Sequence, residues 1–207
     1  MIRNLVEIAF QFSPAAKVGR WWFKCRSVSP LPFIALMIFL NPEFWPSATW
    51  VTLTLISLVL AELLRIWAVG YAGSQTRTRA DSVGKLVYSG PYRHVRNPLY
   101  IANILLYSLC GFLFGFRLLS LAVLVYSAIQ YHFIVKYEEE VLLRTFGTEY
   151  ENYCNGVPRW LPQLTSSYPS SSQQFSLRKA LRSERSTLIA MAAMGIIACL
   201  RIWLLVA

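Results

Sequence analysis

The chain has 207 residues, of which 56% are hydrophobic and only 14% are charged. An ordinary soluble domain carries about a quarter charged residues, so this composition indicates a protein that lies in a membrane. The formal net charge of +10 could suit nucleic acid, but the basic residues lie between apolar runs and form no face interleaved with aromatic residues. Nucleic acid is therefore not an expected partner.

The cysteine and histidine content argues against a metal site. The four cysteines are widely spaced without a CxxC pair, and the chain has only two histidines. Zinc sites need several Cys and His ligands at short spacing, and disulfide frameworks need a regular cysteine pattern. We therefore expect free thiols and no bound metal.

Five apolar segments follow a basic, aromatic N-terminal stretch over residues 1–30, which is typical of an interfacial helix rather than of a cleaved signal peptide. The apolar segments are Leu31–Trp45, Thr49–Tyr71, Pro98–Phe116, Leu118–Val135 and Leu188–Val206. A helix needs roughly 20 apolar residues to cross the hydrocarbon core, so the first segment spans only with its flanks or forms half of a tight hairpin. The sequence predicts an all-α integral membrane helical bundle of about five transmembrane helices.

The distribution of basic residues predicts the orientation of this bundle. Lysine and arginine are concentrated in residues 1–30, 77–96 and 136–185. Basic loops remain in the cytoplasm, so we expect a multi-pass protein of a bacterial inner membrane with its N-terminus on the cytoplasmic side. The expected units are an interfacial helix in residues 1–30, a membrane core in 31–165, a polar linker in 166–185 and a peripheral transmembrane helix in 186–207.

Two polar clusters flank the hairpin of the third and fourth apolar segments. The first is GPYRHVRNPLY, residues 90–100; the second begins at Glu138-Glu139-Glu140 and ends with VPRWLP, residues 157–162. Charged side chains beside the hydrocarbon are costly unless they are paired or functional. Both clusters fall on the same expected cytoplasmic side, so the sequence predicts a ligand pocket there.

The order GPYR, RNPLY at the start of a span, then EEExLLxxFGxxYxxY and VPRxLP after the next span resembles the isoprenylcysteine carboxyl methyltransferase and phospholipid methyltransferase group of integral membrane enzymes. This resemblance implies S-adenosylmethionine as the methyl donor, bound on the cytoplasmic side. It also implies a lipophilic methyl acceptor that enters from the bilayer, among the membrane lipids. Members of the group usually have His and Gly where this chain has Asn97 and Ala102, so an acid–base role of that His is not carried over.

The resemblance and the chemistry of the residues together predict the donor site. Pro98 suits the first turn of a helix, so the residues before it form an irregular loop that ends at free amide groups. Amides and an arginine suit the carboxylate of an amino-acid-like ligand, and a glutamate suits its ammonium group. We assign a catalytic role to Arg96 and Glu139. The expected donor-binding residues are Leu86, Val87, Gly90, Tyr92, Arg93, Asn97, Pro98, Tyr100, Glu138, Glu139 and Arg159.

Alternatives remain at this point. The glutamate run can instead open an amphipathic helix, because the helix dipole favours acidic residues in a first turn. The favoured reaction is carboxyl O-methylation of an isoprenylcysteine, but a phospholipid amine or a small lipophilic thiol or acid is also open. Only an amine acceptor needs a general base, for which Glu139 is the candidate. The other classes are an NADPH-dependent membrane reductase, with Arg77 and Arg79 near the 2′-phosphate, and a non-enzymatic scaffold or transporter.

A further polar pair lies inside the second apolar segment. Glu62 and Arg65 are one helical turn apart near its expected inner end. We expect them to pair with each other, with the long side chain of Arg65 extending toward the membrane interface.

Overall fold

A computed structural model of the protein describes residues 12–73, 85–165, 168–169 and 173–206. All regular structure in these ranges is helical, which confirms the all-α expectation. The helices are α1 (Pro14–Cys25), α2 (Leu31–Phe39), α3 (Ala48–Ala72), a 3-10 turn (Gly90–Arg93), α4 (Pro98–Leu113), α5 (Arg117–Phe146), α6 (Thr148–Gly156) and α7 (Leu177–Val206). The two arginines of the NADPH alternative, Arg77 and Arg79, lie outside the described residues.

Two helices of the described chain, α3 and α5, have the length and apolar composition of a membrane span. Helix α4 has 16 residues, and α2 has nine because the chain becomes extended at Leu40. The nine-residue helix α2 is only about 14 Å long, which is too short to cross a bilayer by itself, and the alternatives of a span with flanks or half of a hairpin stay predictions. The total of about five spans stays a prediction.

Helix α5 runs without interruption over 30 residues, well past the expected end of the fourth apolar segment at Val135. The residues that follow Val135 include Lys, Glu, Leu and Arg, which are good helix formers, so the helix continues after the apolar stretch ends. It stops at Gly147, whose φ of +51° suits glycine. The glutamate run lies about 30 Å from the N-terminus of α5, so the helix-dipole explanation of these residues is wrong.

Helix α1 packs closely along α5. At Gly19 an added Cβ would lie 1.9 Å from the backbone oxygen of Phe133, so only glycine permits this approach. The side chain of Ser13 caps α1 by accepting a hydrogen bond from the amide of Ala16 at 3.2 Å. The Ser13 amide donates to Glu140 at 3.2 Å, which ties the start of α1 to α5. The interfacial location of this region stays a prediction.

Helix α7 begins at Leu177, so residues 177–185, which were expected to be linker, are helical. It packs against α3, and the amide of Ser176 donates to the carbonyl of Gly70 at 3.0 Å. The side chain of Glu184 is only 2% exposed. This buried charged residue fixes the start of α7 to the rest of the bundle, and the peripheral transmembrane location of residues 186–207 stays a prediction.

Candidate functional site

The loop before α4 has the irregular geometry that its sequence predicts. Gly90 has a φ of +60°, and an added Cβ there would lie 2.2 Å from the ring of Tyr71. Its lack of a side chain is thus explained by packing against α3. Helix α4 begins at Pro98 with Asn97 as its N-cap residue, as expected, although the Asn97 side chain makes no capping bond. Instead its Nδ2 donates to the carbonyl of Arg159 at 3.1 Å.

Three of the predicted site residues form an ion cluster of Arg96, Glu139 and Arg159. Arg96 Nη1 lies 3.1 Å from Glu139 Oε1. Arg159 binds the same carboxylate through two nitrogens, with Nε 2.9 Å from Oε1 and Nη2 2.5 Å from Oε2. The hydrogen bonds to Glu139 raise the pKa of Arg159 above its usual value. The Glu139 carboxylate is therefore held by two guanidinium groups, one from the loop before α4 and one from the chain after α6.

The segment after α6 lies across the loop as a strap, residues 157–163. The amide of Arg96 donates to the carbonyl of Pro158 at 2.9 Å, and the amide of Gln163 donates to the carbonyl of His94 at 3.0 Å. The side chain of Gln163 donates to the carbonyl of Arg93 at 3.2 Å. The strap therefore fixes Arg159 over the ion cluster through main-chain bonds as well as through its own side chain.

Glu138 is adjacent to the ion cluster but has different partners. The hydroxyl of Tyr100 donates to Glu138 Oε1 at 2.7 Å, and the ring of Tyr100 stacks on Tyr131 with centroids 4.7 Å apart. No lysine or arginine of the described residues lies within 4.0 Å of the Glu138 carboxylate. Burial raises the pKa of Tyr92 well above its usual value, and the negative charge of Glu138 adds to the effect. Glu138 is thus an acidic group beside two tyrosines.

The other predicted donor-binding residues hold the loop before α4 in its conformation. The side chain of Leu86 is buried in a cluster with Tyr150 and Tyr153. The guanidinium of Arg93 donates through Nε and Nη2 to the carbonyl of Tyr168, at 3.1 and 2.8 Å. Val87 is half-buried beside this cluster, and Pro98 is fully buried at the start of α4. These residues hold the loop in place, whatever else they contact.

A buried polar network continues from this region toward α3 and α7. Asn103 donates to the hydroxyl of Tyr131 at 3.1 Å and accepts from Arg65 Nη1 at 2.7 Å. Arg65 lies 3.6 Å from Glu62, which confirms their expected pairing, and it also binds Glu184. Its side chain is only 10% exposed, so the expectation that Arg65 extends toward the interface is wrong. The buried partners on α4 and α7 hold the guanidinium inside the bundle.

An apolar cavity of about 310 Å³ lies between α2, α3, α4, α5 and α7. Most of its lining side chains are apolar, and the polar ones include Arg65, Gln130 and Thr187. Tyr107 also lines the cavity and packs against the cluster that contains Tyr131. The cavity is therefore linked to Glu138 through a series of tyrosines: Tyr107 lines the cavity, Tyr131 stacks on Tyr100, and the Tyr100 hydroxyl donates to Glu138.

Sequence reasoning missed three residues that complete this region. Cys154 accepts a hydrogen bond from Arg96 Nη1, with 2.7 Å between nitrogen and sulfur, while Asn103 and Tyr131 connect Tyr100 to Arg65. A signal for the latter two existed: Tyr131 is seven residues before Glu138 on one helix, and Asn103 is three after Tyr100 on another. Such spacings place side chains on one helical face. For Cys154 the sequence offered no comparable signal.

The described part of the chain contains no group of three or more His, Cys, Asp or Glu residues that could hold a metal ion. The cysteines that it describes, Cys25, Cys110 and Cys154, are free thiols. These findings apply to the described ranges alone.

Comparison with known proteins yields one family and several distant relatives. The family with the description phospholipid methyltransferase matches residues 47–149. The nickel-cobalt-cadmium resistance protein NccN of Alcaligenes xylosoxydans xylosoxydans is 27% identical over 72% of this chain and 66% of its own length. The cobalt-zinc-cadmium resistance protein CzcN of Cupriavidus metallidurans is 28% identical over 58% of this chain and 53% of its own length.

A plant enzyme is similarly distant. Protein-S-isoprenylcysteine O-methyltransferase B of Arabidopsis thaliana is 27% identical over 65% of this chain and 70% of its own length. No solved structure matches the chain. These findings confirm the resemblance that the two polar motifs indicated, and the alignments to the two resistance proteins cover less than two thirds of those relatives.

Proposed function

We propose that this chain, whose residues 47–149 match the phospholipid methyltransferase family, transfers a methyl group from S-adenosylmethionine to a lipophilic acceptor at a membrane. The observation that carries this proposal is the apolar cavity of about 310 Å³, which is linked to Glu138 through Tyr107, Tyr131 and Tyr100. A cavity of this size is at the lower end of the range for small-molecule sites, about 300 to 1,000 Å³. It suits an apolar tail, while the charged region beside it suits a polar donor.

The charged residues fit the amino-acid portion of the donor. Arg96 Nε is buried without a hydrogen-bond partner among the described residues, which favours an additional acceptor such as a carboxylate. Glu138 has the hydroxyl of Tyr100 as a partner but no cation within 4.0 Å, which favours an ammonium group. Glu139 already accepts from two guanidinium groups, so we assign the ammonium to Glu138 and give Glu139 the role of positioning Arg96 and Arg159.

The other predicted donor contacts fit the same proposal. Tyr92 and Tyr100 flank Glu138, and their rings suit the adenosine portion of the donor or the edge of the acceptor tail. Asn97 and Arg159 hold the strap over the loop through the bond from Asn97 Nδ2. The loop that carries the donor contacts is held in place by packing and hydrogen bonds of Leu86, Val87, Gly90, Arg93 and Pro98. We keep these five in the proposed donor site because they support the residues that contact the donor.

When bound, the sulfonium of the donor supplies an electrophilic methyl group for an in-line displacement. The task of the protein is to align donor and acceptor and to exclude water. The ion cluster fixes the loop and the strap relative to α5, and Tyr100 and Tyr131 lie between the charged region and the cavity. None of these contacts requires a proton to move.

This arrangement favours an acceptor that needs no general base. Both oxygens of Glu139 accept bonds from guanidinium groups, so Glu139 is poorly placed to accept a proton, and the base role considered for it is not favoured. A carboxylate or thiolate acceptor needs no base. We therefore propose isoprenylcysteine-like carboxyl O-methylation as the reaction, a choice that the distant plant relative also supports.

Phospholipid N-methylation is the second candidate, favoured by the description of the family. An amine acceptor must lose a proton, and Glu138, which has no ion-pair partner within 4.0 Å in the described residues, is the group available for this.

We also propose that the site lies on the cytoplasmic side of a bacterial inner membrane, because lysine and arginine are concentrated in the loops beside it.

The test combines two acceptors with one donor. Purified protein in lipid nanodiscs is incubated with S-adenosylmethionine labelled in the methyl group and with either an N-acetyl prenylcysteine or phosphatidylethanolamine. We expect a base-labile methyl ester on the prenylcysteine. Label on the phospholipid amine alone would favour the second candidate, and no transfer to either acceptor would contradict both.

A further inference from the structure

We propose that helix α7 determines which acceptor tails the apolar cavity admits. Residues 177–206 lie outside the part of the chain that the family matches, residues 47–149, yet they form one wall of the cavity. The inference rests on the proposed function, because it assumes that the cavity holds the tail of the methyl acceptor. It adds that the selectivity for the tail comes from a helix outside the shared family region.

A buried ion pair fixes this wall. Glu184 and Arg65 have side-chain exposures of 2% and 10%, so both charges are withdrawn from water and depend on each other. Arg65 Nη2 also donates to the hydroxyl of Thr187 at 3.1 Å. Its Nη1 donates to Asn103 at 2.7 Å. One guanidinium thus connects α3, α4 and α7 at one end of the cavity, which fixes the position of α7 along the bundle.

The residues of α7 that face the cavity share one side of the helix. They are Thr187, Ala190, Met191 and Gly195. Spacings of three, four and eight residues place them on a single face. Met191 packs against the cluster of Leu58, Ala61 and Leu106 on α3 and α4. This face therefore forms a continuous wall that contacts the other helices of the cavity.

Small residues on this face leave room that a larger side chain would fill. An added Cβ at Gly195 meets no atom within 4 Å, so glycine is not required there by close packing. Ala190 is exposed to the cavity and has a short side chain. Met191 is unbranched and adapts to the shape of what it contacts. The length of tail that fits is therefore determined by the size of the residues on α7.

The experiment compares two equal substitutions on opposite faces of α7. Ala190→Phe places a ring in the cavity, whereas Ala192→Phe, also at an exposed position, lies outside the cavity lining. Acceptors with short and long prenyl tails are compared by kcat/KM. We expect Ala190→Phe to lower the ratio of long-tail to short-tail kcat/KM by about tenfold or more, with unchanged affinity for S-adenosylhomocysteine. The same ratio in both variants would overturn the inference.

The ion pair is tested as a positioning element. Glu184→Gln keeps the shape of the side chain but removes its charge, so α7 is held less firmly against Arg65. We expect the discrimination between tail lengths to weaken while affinity for S-adenosylhomocysteine is kept. Equal losses of kcat/KM for every acceptor, with no change in discrimination, would indicate a merely structural role for Glu184 and would contradict this part of the inference.

A measurement without catalysis separates this inference from the proposed function. A fatty alcohol that carries a diazirine is photolysed with the wild-type protein in nanodiscs, and the labelled residues are mapped by mass spectrometry. Competition by an unlabelled prenyl alcohol identifies specific labelling. Label on the cavity face of α7, reduced by Ala190→Phe but not by Ala192→Phe, supports the inference even if no methyl transfer is found. Absence of label from α7 overturns it even if methyl transfer is confirmed.

Discussion

Glutamine substitutions at the three adjacent glutamates separate donor binding from stability, because each carboxylate has different partners. Glu138 accepts a hydrogen bond from Tyr100 at 2.7 Å and has no cation within 4.0 Å in the described residues. Glu139 binds Arg96 at 3.1 Å and Arg159 at 2.9 and 2.5 Å. A carboxylate without an internal cation is available for a ligand, whereas one with two guanidinium partners stabilises the fold.

The expected magnitudes follow from these partners. Glu138→Gln keeps an oxygen for Tyr100 but loses its charge, so we expect affinity for S-adenosylhomocysteine to fall by about 1 to 3 kcal/mol, or about 5- to 150-fold. The side chains of Glu139, Arg96 and Arg159 are 15%, 13% and 34% exposed. Breaking a buried pair costs about 3 to 5 kcal/mol and breaking an exposed pair about 0 to 1, so Glu139→Gln is expected to cost about 2 kcal/mol of stability.

Glu140 provides the matched control for this series. It accepts a bond from the Ser13 amide and lies 3.6 Å from Arg144, with both side chains of the pair more than a quarter exposed, at 27% and 29%. The Ser13 hydroxyl also donates to the other oxygen of Glu140, and Gln keeps one oxygen for the two Ser13 donors. Because this contact is exposed, Glu140→Gln is expected to change stability by about 1 kcal/mol or less and to leave donor binding unchanged. Its retained binding would show that removal of one negative charge from this run is not by itself damaging.

Two measurements check the series in the same detergent or nanodisc. Calorimetric titration with S-adenosylhomocysteine gives the binding free energy, and unfolding in urea gives the stability of each variant. We expect binding to fall most in Glu138→Gln and stability to fall most in Glu139→Gln. The reasoning is refuted if Glu138→Gln binds as tightly as wild type, or if Glu139→Gln is as stable as Glu140→Gln.

Three further changes test the contacts around the site and the helix packing. Arg96→Lys removes the guanidinium whose Nη1 contacts both Glu139 and Cys154 and whose planar geometry Lys does not reproduce. We therefore expect kcat/KM at saturating donor to fall about 10- to 100-fold, and wild-type turnover would remove Arg96 from the site. Asn97→Ala loses the bond to the Arg159 carbonyl and is expected to lower stability by about 1 kcal/mol in urea unfolding, whereas an unchanged midpoint would contradict that role. Gly19→Ala places a Cβ 1.9 Å from a backbone oxygen of α5, so we expect the free energy of unfolding to fall by about 1 to 3 kcal/mol. In the control Gly195→Ala the added Cβ meets nothing within 4 Å, so we expect no loss of stability. Equal melting temperatures for the two glycine variants would contradict the close contact between α1 and α5.

Features of the fold that depend on one residue type or on a short spacing could be predicted from the sequence. Proline at the first position of a helix predicted the start of α4 at Pro98, and the motifs on either side of the hairpin predicted that Arg96 and Glu139 lie together. The spacing of three residues between Tyr150 and Tyr153 on α6 places both on one face, where Phe146 packs against their cluster. In these cases a short spacing or a single residue type determines the geometry.

The errors arose where tertiary contacts decide the outcome. The end of α5 could not be read from hydropathy, because the helix continues through Glu138, Glu139 and Glu140, whose carboxylates bind Tyr100, Arg96 and Ser13 from distant parts of the chain. The same is true of α7. Its buried Glu184 has a partner 119 residues earlier, and no local pattern indicates such a pairing.

The partner of a charged residue was the property that sequence reasoning predicted least well. The glutamate run suggested a partner for the ammonium group of a ligand, and among the described residues only Glu138 of the three has no ion-pair partner. The side chain of Arg159 folds back onto Glu139 because the strap turns over the loop, a consequence of main-chain bonds such as that from Arg96 to Pro158. Pairing between distant segments depends on the fold as a whole.

The central claim is that the charged region beside α5 binds the methyl donor. Its most direct test is the melting temperature of the purified wild-type protein with S-adenosylhomocysteine and, in parallel, with NADPH. A ligand that binds only the native state raises the melting temperature, because it adds free energy of unfolding that grows with the logarithm of its concentration over Kd, about 2.7 kcal/mol at a hundredfold excess. The account predicts that S-adenosylhomocysteine raises the melting temperature and that NADPH does not; stabilisation by NADPH alone would contradict it.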